Sequence, residues 1–441
     1  MRAGRLARLV GAAFAACMLA AIGMLRAGVE AESRPSSAAV AVPAAPRPCP
    51  RVFVYNRSSL DERHLTLNGY GAQLSSESPA WLRNTQQHGV GAIILSRLMR
   101  SRCVVDDAAE AELFIIPMVQ SVHVAPRGGR KQDDPLRVYT KMAPSAEEYL
   151  WPHCERLLVE DWHSTLPHLT EHTVVRHVFV CDKFFDLWGF CSNIGRFKAL
   201  LRSRPGNLAL LRAMPWPRNT IGRGGRGGNH FTFAYPSAVH LRRSDAPPPW
   251  SANRSQRSVL VMFGGSTYGH ALSRKLRSAL VEQCRAHGPT VCELVHAESM
   301  AGEGAIVHAL AAKRRARFCL EPPGFGDERK AIADALSLGC IPVLFMPATD
   351  AYLWQHNWPD AWKARSMVQL DAQQVISGAQ DAVRALERIP EQQVASMQQS
   401  IAQSVHTLHY AFDDVPGDAF YVFLRVLAAN TRSTTIQYND I

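Results

Sequence analysis

Residues 317–345 read RFCLEPPGFGDERKAIADALSLGCIPVLF, and this stretch decides the fold. Phe318, Cys319 and Leu320 make a short apolar run, a Pro/Gly turn follows, and then Ala331, Ile332, Ala335, Leu336 and Leu338 recur at helical spacing. Asp327 is placed to cap that helix and Gly339 to end it. A second apolar run, 340–345, comes at once, with Pro342 inside it, although proline suits the start of a strand better than its middle. Strand, loop, helix and strand in this order predict the parallel βαβ unit of an α/β domain.

The chemistry of the stretch lies in its loop and first helical turn. A helix N-terminus presents unpaired N–H groups and a partial positive charge, and Arg329 with Lys330 adds two cations there. Cations at that end run against the dipole, a conflict that an anionic ligand or a nearby carboxylate removes. A phosphate or diphosphate fits these residues; a solvated helix face accounts for the same charged pair.

Upstream, residues 258–265, SVLVMFGG, form an apolar strand stopped by two glycines. Glycine directly after a strand lets backbone N–H groups approach a ligand, and in open parallel sheets ligands gather at strand C-termini. Gly264, Gly265 and Ser266 are therefore neighbours of a bound diphosphate or, equally, a simple turn. A helix over 274–284, a strand over 292–295 and a helix over 306–313 continue the alternation, and helices over 372–386 and 392–408 follow the opening stretch.

The first half begins with an apolar strand, RVFVY, at 51–55. Residues 81–100, WLRNTQQHGVGAIILSRLMR, predict a helix with one apolar face, and 109–119, AEAELFIIPMV, a helix end running into a buried strand. A polar, basic loop spans 121–143, a helix 147–162 and a strand 174–180. Residues 215–228, ending in GRGGRGG, read as a flexible loop, and 244–257 as a Pro-rich linker between domains. RGG tracts bind RNA in some chains, but this one is single, short and without interleaved aromatics, so nucleic acid is not an expected partner.

With 441 residues the chain holds two ordinary domains, and its net charge of +11 suits anionic partners. Residues 9–25 carry no charge and follow Arg2, Arg5 and Arg8, the pattern of a type II signal anchor with a cytosolic tail at 1–8. A cleaved signal peptide or an organellar transit peptide reads the same residues differently. The Ala/Pro/Ser-rich 26–50 is a stem. Ten cysteines suit a lumenal address, with up to four disulfides outside Cys17, and Asn56 and Asn253 head glycosylation sequons.

Taken together, PPG at 322–324, the pair Arg329-Lys330, Asp334 and GCIPVLF resemble the C-terminal signature of exostosin-like glycosyltransferases, in the form of their plant xyloglucan galactosyltransferase branch. The order of Trp81, Thr85, Gln86, an Arg-Leu-Met segment, Cys103, an acidic turn and a Phe/Ile-Pro strand is similar to the same family, as are FTFAYP at 231–236 and the aromatic segment with Tyr352, Trp354 and Trp358. The resemblance implies a GT-B-like α/β fold: two Rossmann-like domains facing across a cleft, after the anchor and stem. Its boundaries fall at 51–243 for an acceptor-side domain, 244–257 for the linker, 258–410 for the nucleotide-sugar domain and 411–441 for a tail. By position Gly324, Arg329 and Lys330 match the family's glycine and basic pair. Phe325 stands where an aspartate is usual, and Asp327-Glu328 replace a Tyr/Thr-like pair.

What the resemblance implies for function is a Golgi transferase moving a sugar from UDP to a glycan acceptor with inversion. The nucleotide-sugar set is Gly264, Gly265, Ser266, Glu321, Gly324, Glu328, Arg329 and Lys330. His177, in a partial Arg-His-Val-Phe echo of a family cluster, is a candidate base; a hydrogen-bonded strand histidine is the plainer reading, and Asp182 is a second candidate. No D-x-D triplet occurs, which points away from a metal-held diphosphate, so no cofactor is expected beyond the UDP-sugar substrate. The membrane and other glycosyltransferases, in homo- or hetero-oligomers, are the further partners. Two other classes remain open: a non-catalytic exostosin-like subunit, and a lumenal lectin-like binder of acidic glycans.

Overall fold

The first half of the chain is ordered around a parallel sheet whose strands follow one another in sequence. In the computed structural model the described residues are 49–55, 57–87, 89–117, 123–124, 138–139, 166–170, 173, 176–180, 209–212, 230–245, 247–251, 257–267, 270–296, 303–324, 329–346 and 354–433. The anchor, the stem up to residue 48, the helix at 147–162, the RGG tract, both sequon asparagines, Asp182, Phe325, Asp327 and Glu328 lie outside them. Pro48–Ile441 forms one compact unit.

Strands β1 (Val52–Val54), β2 (Leu113–Pro117), β5 (His177–Val180), β6 (Ala209–Arg212) and β7 (His230–Thr232) line up in that order, every pair parallel. Between β2 and β5, β3 (His123–Val124) and β4 (Val138–Tyr139) make a small antiparallel pair. Helices α1 (Glu62–Tyr70) and α2 (Val90–Met99) complete this half. The helix expected over 81–100 is therefore only its second half. Residues 90–98 are buried on every side rather than along one face, while the polar 82–87 run extended, bridged through Leu82 to Val239 and through Arg83 to Gln73. Gly89 marks the break, because a Cβ there would lie 2.6 Å from the Gly69 carbonyl oxygen.

The second sheet has the order β12 (Val368–Gln369), β11 (Ile341–Leu344), β10 (Ala316–Leu320), β8 (Val259–Gly265), β9 (Cys292–His296), again all parallel. Helices α3 (Ala271–His287), α4 (Glu303–Arg315) and α5 (Lys330–Ser337) connect its first four strands in sequence. Counted along the chain this is order 2-1-3-4-5, with its topological switch point between β8 and β10. Pro342 is tolerated inside β11 because Val343 faces β10, its carbonyl accepting from the Glu321 N–H. The missing proline donor therefore faces β12, whose ladder begins only at Val343. Gly339 (φ +72°) ends α5 in a Schellman turn, with Gly339 N–H bonded to Leu336 O at 2.9 Å and Cys340 N–H to Ala335 O at 2.9 Å.

Beyond β12 come α6 (Asp360–Lys363), α7 (Ala372–Ile376), α8 (Ala382–Glu387), α9 (Glu391–Ser404) and α10 (Ala419–Ser433). Gly378 (φ +76°) separates α7 from α8 where one helix was expected. The tail expected at 411–441 instead carries α10, whose Phe420, Phe423, Leu424 and Leu427 are buried in the core of the first half. Burying each such side chain contributes about 1.5–3 kcal/mol, which is why the segment does not run free. Arg97 fixes its entry, bonded to Asp418 at 2.6 Å and to the Ala411 carbonyl at 2.8 Å. The stretch 244–257 also ends buried: Arg257 donates to Lys313 O, Arg314 O and Ala316 O, and to Leu338 O, at the C-termini of α4 and α5.

Among the described residues the disulfides are Cys49–Cys103, Cys284–Cys292 and Cys319–Cys340. Two parallel α/β halves on either side of a cavity make the fold GT-B-like. No described helix is long and apolar enough to cross a membrane.

Candidate functional site

The C-terminal ends of β8 and β10 diverge at the switch point, the place where an open parallel sheet holds ligands. From β8 come Gly264, Gly265 and Ser266; from β10 come Glu321, Pro322, Pro323 and Gly324, leading to Arg329 at the N-cap of α5. Among the described residues no side chain caps that helix, and the expected cap, Asp327, lies outside them.

One arginine holds the two loops together. Arg277 of α3, 3% exposed, donates to Ser266 O at 2.7 Å, Pro323 O at 3.0 Å and Pro322 O at 3.2 Å. Ser273, one turn earlier, also donates to Pro323 O. The second guanidinium, of Arg329, donates to Pro322 O at 3.1 Å. Arg277 crowds Gly265 (φ +151°), where a Cβ would lie 3.1 Å from Nη1, whereas a Cβ on Gly324 would meet Arg329 Nε at an ordinary contact distance of 3.8 Å. Burial, and then the charge of Arg329, push the Arg277 pKa down to about 10 against the opposing pull of Glu321.

Glu321 is buried and paired with Lys313 of α4, and its other oxygen, Oε2, lies 3.9 Å from Arg329 Nη1. Among the described residues three cations, Arg277, Lys313 and Arg329, thus share one carboxylate. Lys330 is neutralised by Asp334, one turn on, at 2.8 and 2.9 Å, and Asp334 also accepts from the Ala238 N–H at 2.7 Å, tying α5 to the first half of the chain. Interior charges without matching counter-charges are costly, and an anion seated on these loops relieves the excess.

Beside this cluster lies a cavity of about 440 Å3. Gly264, Lys313, Lys330, Ala331 and Asp334 line it from the second half, with Ile306, Ala309 and Leu310 of α4 as an apolar patch. Arg83, Asn84, Thr85, Gln86, Gln87 and Ala238 line it from the first half. The expected residues thus divide: Gly264 and Lys330 face the cavity, while Gly265, Ser266, Gly324, Arg329 and the buried Glu321 gather around the cationic cluster.

His177 stands elsewhere, in the setting of the plainer reading, a hydrogen-bonded histidine on a strand. It is fully buried, stacked on Phe114 with ring centroids 4.6 Å apart. Nδ1 donates to Thr173 O at 2.8 Å, so Nε2 is left to accept from the Tyr55 hydroxyl at 2.8 Å. Burial pushes its pKa down to about 4. A neutral imidazole with both nitrogens engaged braces the sheet and has no lone pair to offer an acceptor hydroxyl.

Sequence reasoning passed over Arg277, Lys313 and the 83–87 strip. Arg277 carried a readable signal, since it occupies the stripe Ser273, Leu276, Arg277, Leu280, Val281, Cys284 that α3 buries, and an arginine at a core position needs a reason. No group of three or more His, Cys, Asp or Glu among the described residues is arranged to hold a metal ion.

A family model for the exostosin GT47 domain matches residues 46–368. Among curated relatives, all from Arabidopsis thaliana, a xyloglucan-specific galacturonosyltransferase 1 is 26% identical over 66% of this chain and 40% of its own. A probable xyloglucan galactosyltransferase GT17 is 30% identical over 48% and 46%, and the xyloglucan galactosyltransferase MUR3 is 22% identical over 74% and 49%. The chain spans less than half the length of these relatives. Among solved structures, the calicheamicin glycosyltransferase CalG4 aligns over 78% of this chain and 72% of its own at 14% identity and a TM-score of 0.24, too slight a likeness to bear on fold or function.

Proposed function

Since the chain belongs to the exostosin GT47 family, we propose that it is a glycosyltransferase that moves a sugar from a UDP-sugar to a polysaccharide or glycoprotein glycan. The observation that carries this reading is the gathering of cations at the switch point, where, among the described residues, Arg277, Lys313 and Arg329 surround one carboxylate, Glu321. A diphosphate in the loops after β8 and β10 supplies the missing negative charge, and Gly265 and Gly324 let it approach the backbone. The names of the relatives favour a xyloglucan-like acceptor.

In this reading the acceptor hydroxyl attacks the anomeric carbon from the face opposite the diphosphate. The new C–O bond forms as the bond to the β-phosphate breaks, the proton passes to a base, and UDP leaves with its charge held by Arg329 and the start of α5, giving inversion without a metal ion. Both ring nitrogens of His177 are engaged and Asp182 lies outside the described residues, so the proposal leaves that base unassigned. A Golgi-lumenal catalytic part, anchored as a type II membrane protein through 9–25, completes the proposal.

Titration of the full-length chain with UDP, alongside hydrolysis of UDP-sugars, tests it. Arg329→Ala is expected to weaken UDP binding by roughly tenfold or more, the worth of a charge-assisted contact, with the unfolding transition retained. Unchanged affinity removes Arg329 from the site, and a wild-type chain that binds no UDP refutes the reading. The engaged His177 favours a second reading, a non-catalytic subunit; UDP binding with neither hydrolysis nor transfer to any glycan would decide for it.

A further inference from the structure

We infer that the strip 83–87 is the sugar-reading wall of the cavity, and that Arg83 takes the carboxylate of a hexuronic acid. The donor form of this inference rests on the transferase reading; the acceptor form does not.

Arg83 is half-buried and held by its stem. Nε donates to the Gly71 carbonyl at 2.9 Å, and the guanidinium carbon lies 5.4 Å from the centre of the Phe412 ring. The guanidinium carbon of Arg242 lies 4.1 Å from the same ring centre, and Arg242 pairs with Asp413 at 3.6 Å. Among the described residues Arg83 has no carboxylate partner, and its two Nη groups have no hydrogen-bond acceptor.

Across the cavity, Lys330 is neutralised by Asp334 and Lys313 is paired with Glu321, so Arg83 brings the unmatched charge to this space. A guanidinium anchored through Nε with both Nη groups unspent presents the planar fork that a carboxylate accepts in bidentate fashion. Beside it, the side-chain amides of Asn84 and Gln86 offer donors and acceptors to ring hydroxyls, and Ile306, Ala309 and Leu310 offer an apolar floor to the C–H face of a pyranose. The diphosphate has its own cations around Glu321, which leaves Arg83 for the sugar.

The test is calorimetric titration of the full-length chain with UDP, UDP-galactose, UDP-galacturonate, a neutral oligosaccharide and an oligogalacturonide. UDP-galacturonate is expected to bind roughly tenfold more tightly than UDP-galactose, with Arg83→Gln removing the preference, Arg83→Lys keeping part of it, and UDP itself bound alike by all three proteins. If the preference and its dependence on Arg83 appear only with the oligogalacturonide, the carboxylate belongs to the acceptor and the assignment of Arg83 stands. Equal binding of acidic and neutral forms by the wild type in both arms overturns the inference, and needs no variant to fold. Loss of UDP affinity in Arg83→Gln as large as that of UDP-galacturonate also overturns it, by making Arg83 a phosphate contact. Absence of UDP binding by the wild type defeats the transferase reading alone, and the oligosaccharide arm then decides for Arg83.

Discussion

Lowering the pH from 7.5 to 5.5 is expected to remove about 4 kcal/mol of folding stability through three buried histidines. Burial pushes the pKa of His177 down to about 4 and that of His240 to about 3, and it drives His409 well below the usual 6.5. In the unfolded chain each titrates near 6.5, so below that pH the unfolded state binds protons that the native state refuses, and stability falls as the medium becomes acidic. One unit below 6.5, each group contributes about 1.4 kcal/mol of loss, with negligible native protonation to offset it. The loss deepens until about pH 4, where His177 begins to take its proton in the native state. Asp418 acts in the opposite sense: burial raises its carboxyl pKa despite Arg97, so the native state takes up that proton earlier and recovers part of the loss in stronger acid. Urea unfolding followed by tryptophan fluorescence at several values between pH 7.5 and 5 measures the slope. A His177→Phe variant, whatever its absolute stability, should show a slope smaller by about a third. A stability flat from pH 7.5 to 5.5 would refute the assignment of these rings as neutral and sealed.

Arg277→Ala should destabilise the fold by several kcal/mol, about 3, because it removes three charge-assisted contacts, leaving the Ser266 carbonyl unpaired and those of Pro322 and Pro323 with one donor each, Arg329 and Ser273; Arg329→Ala, with one backbone contact, should leave the urea midpoint nearly unmoved, and equal midpoints for the two variants would contradict the distinction. Gly339→Ala should cost more than about 1 kcal/mol, since φ is +72° and a Cβ would lie 2.4 Å from Arg257 Nη2, and a midpoint equal to wild type would show that the turn relaxes around it.

The βαβ unit was legible because its apolar runs are bounded by residues with one structural meaning each. Gly339 has to end the helix, and the glycines after Phe263 have to end the strand. Helix and strand share the same signal at 81–100, however, where a single polar-to-apolar transition at Gly89 separates an extended wall from a buried helix; periodicity averaged over twenty residues hides it. The docking of α10 was hidden for another reason. Its partners, Ile93, Ile94 and Arg97, lie more than three hundred residues earlier, and only the finished core brings them into contact. Arg329 and Lys330 were visible as a pair, but the sequence does not say that they part company, one turning to Glu321 and the other to Asp334. For His177 the sequence offered two readings, a base and a hydrogen-bonded strand histidine, and the burial and partners seen are those of the second.

The buried arginines separate architecture from function. Arg97 is answered by Asp418 at 2.6 Å, an ordinary interior ion pair. Among the described residues Arg257 has no carboxylate partner, yet the carbonyls it binds end α4 and α5, where the helix dipoles are negative, so its charge is met by the backbone. Arg277 also binds carbonyls, but it does so beside the start of α5, where the dipole is positive, and next to a second guanidinium. Nothing in the packing requires that arrangement, because a neutral donor could hold the same loops without the repulsion. On the proposed function, the gathering of cations among the described residues, kept against the dipole at the switch point of a parallel sheet, is answered by a diphosphate, and the proposal for Arg83 across the cavity extends the same logic to the sugar.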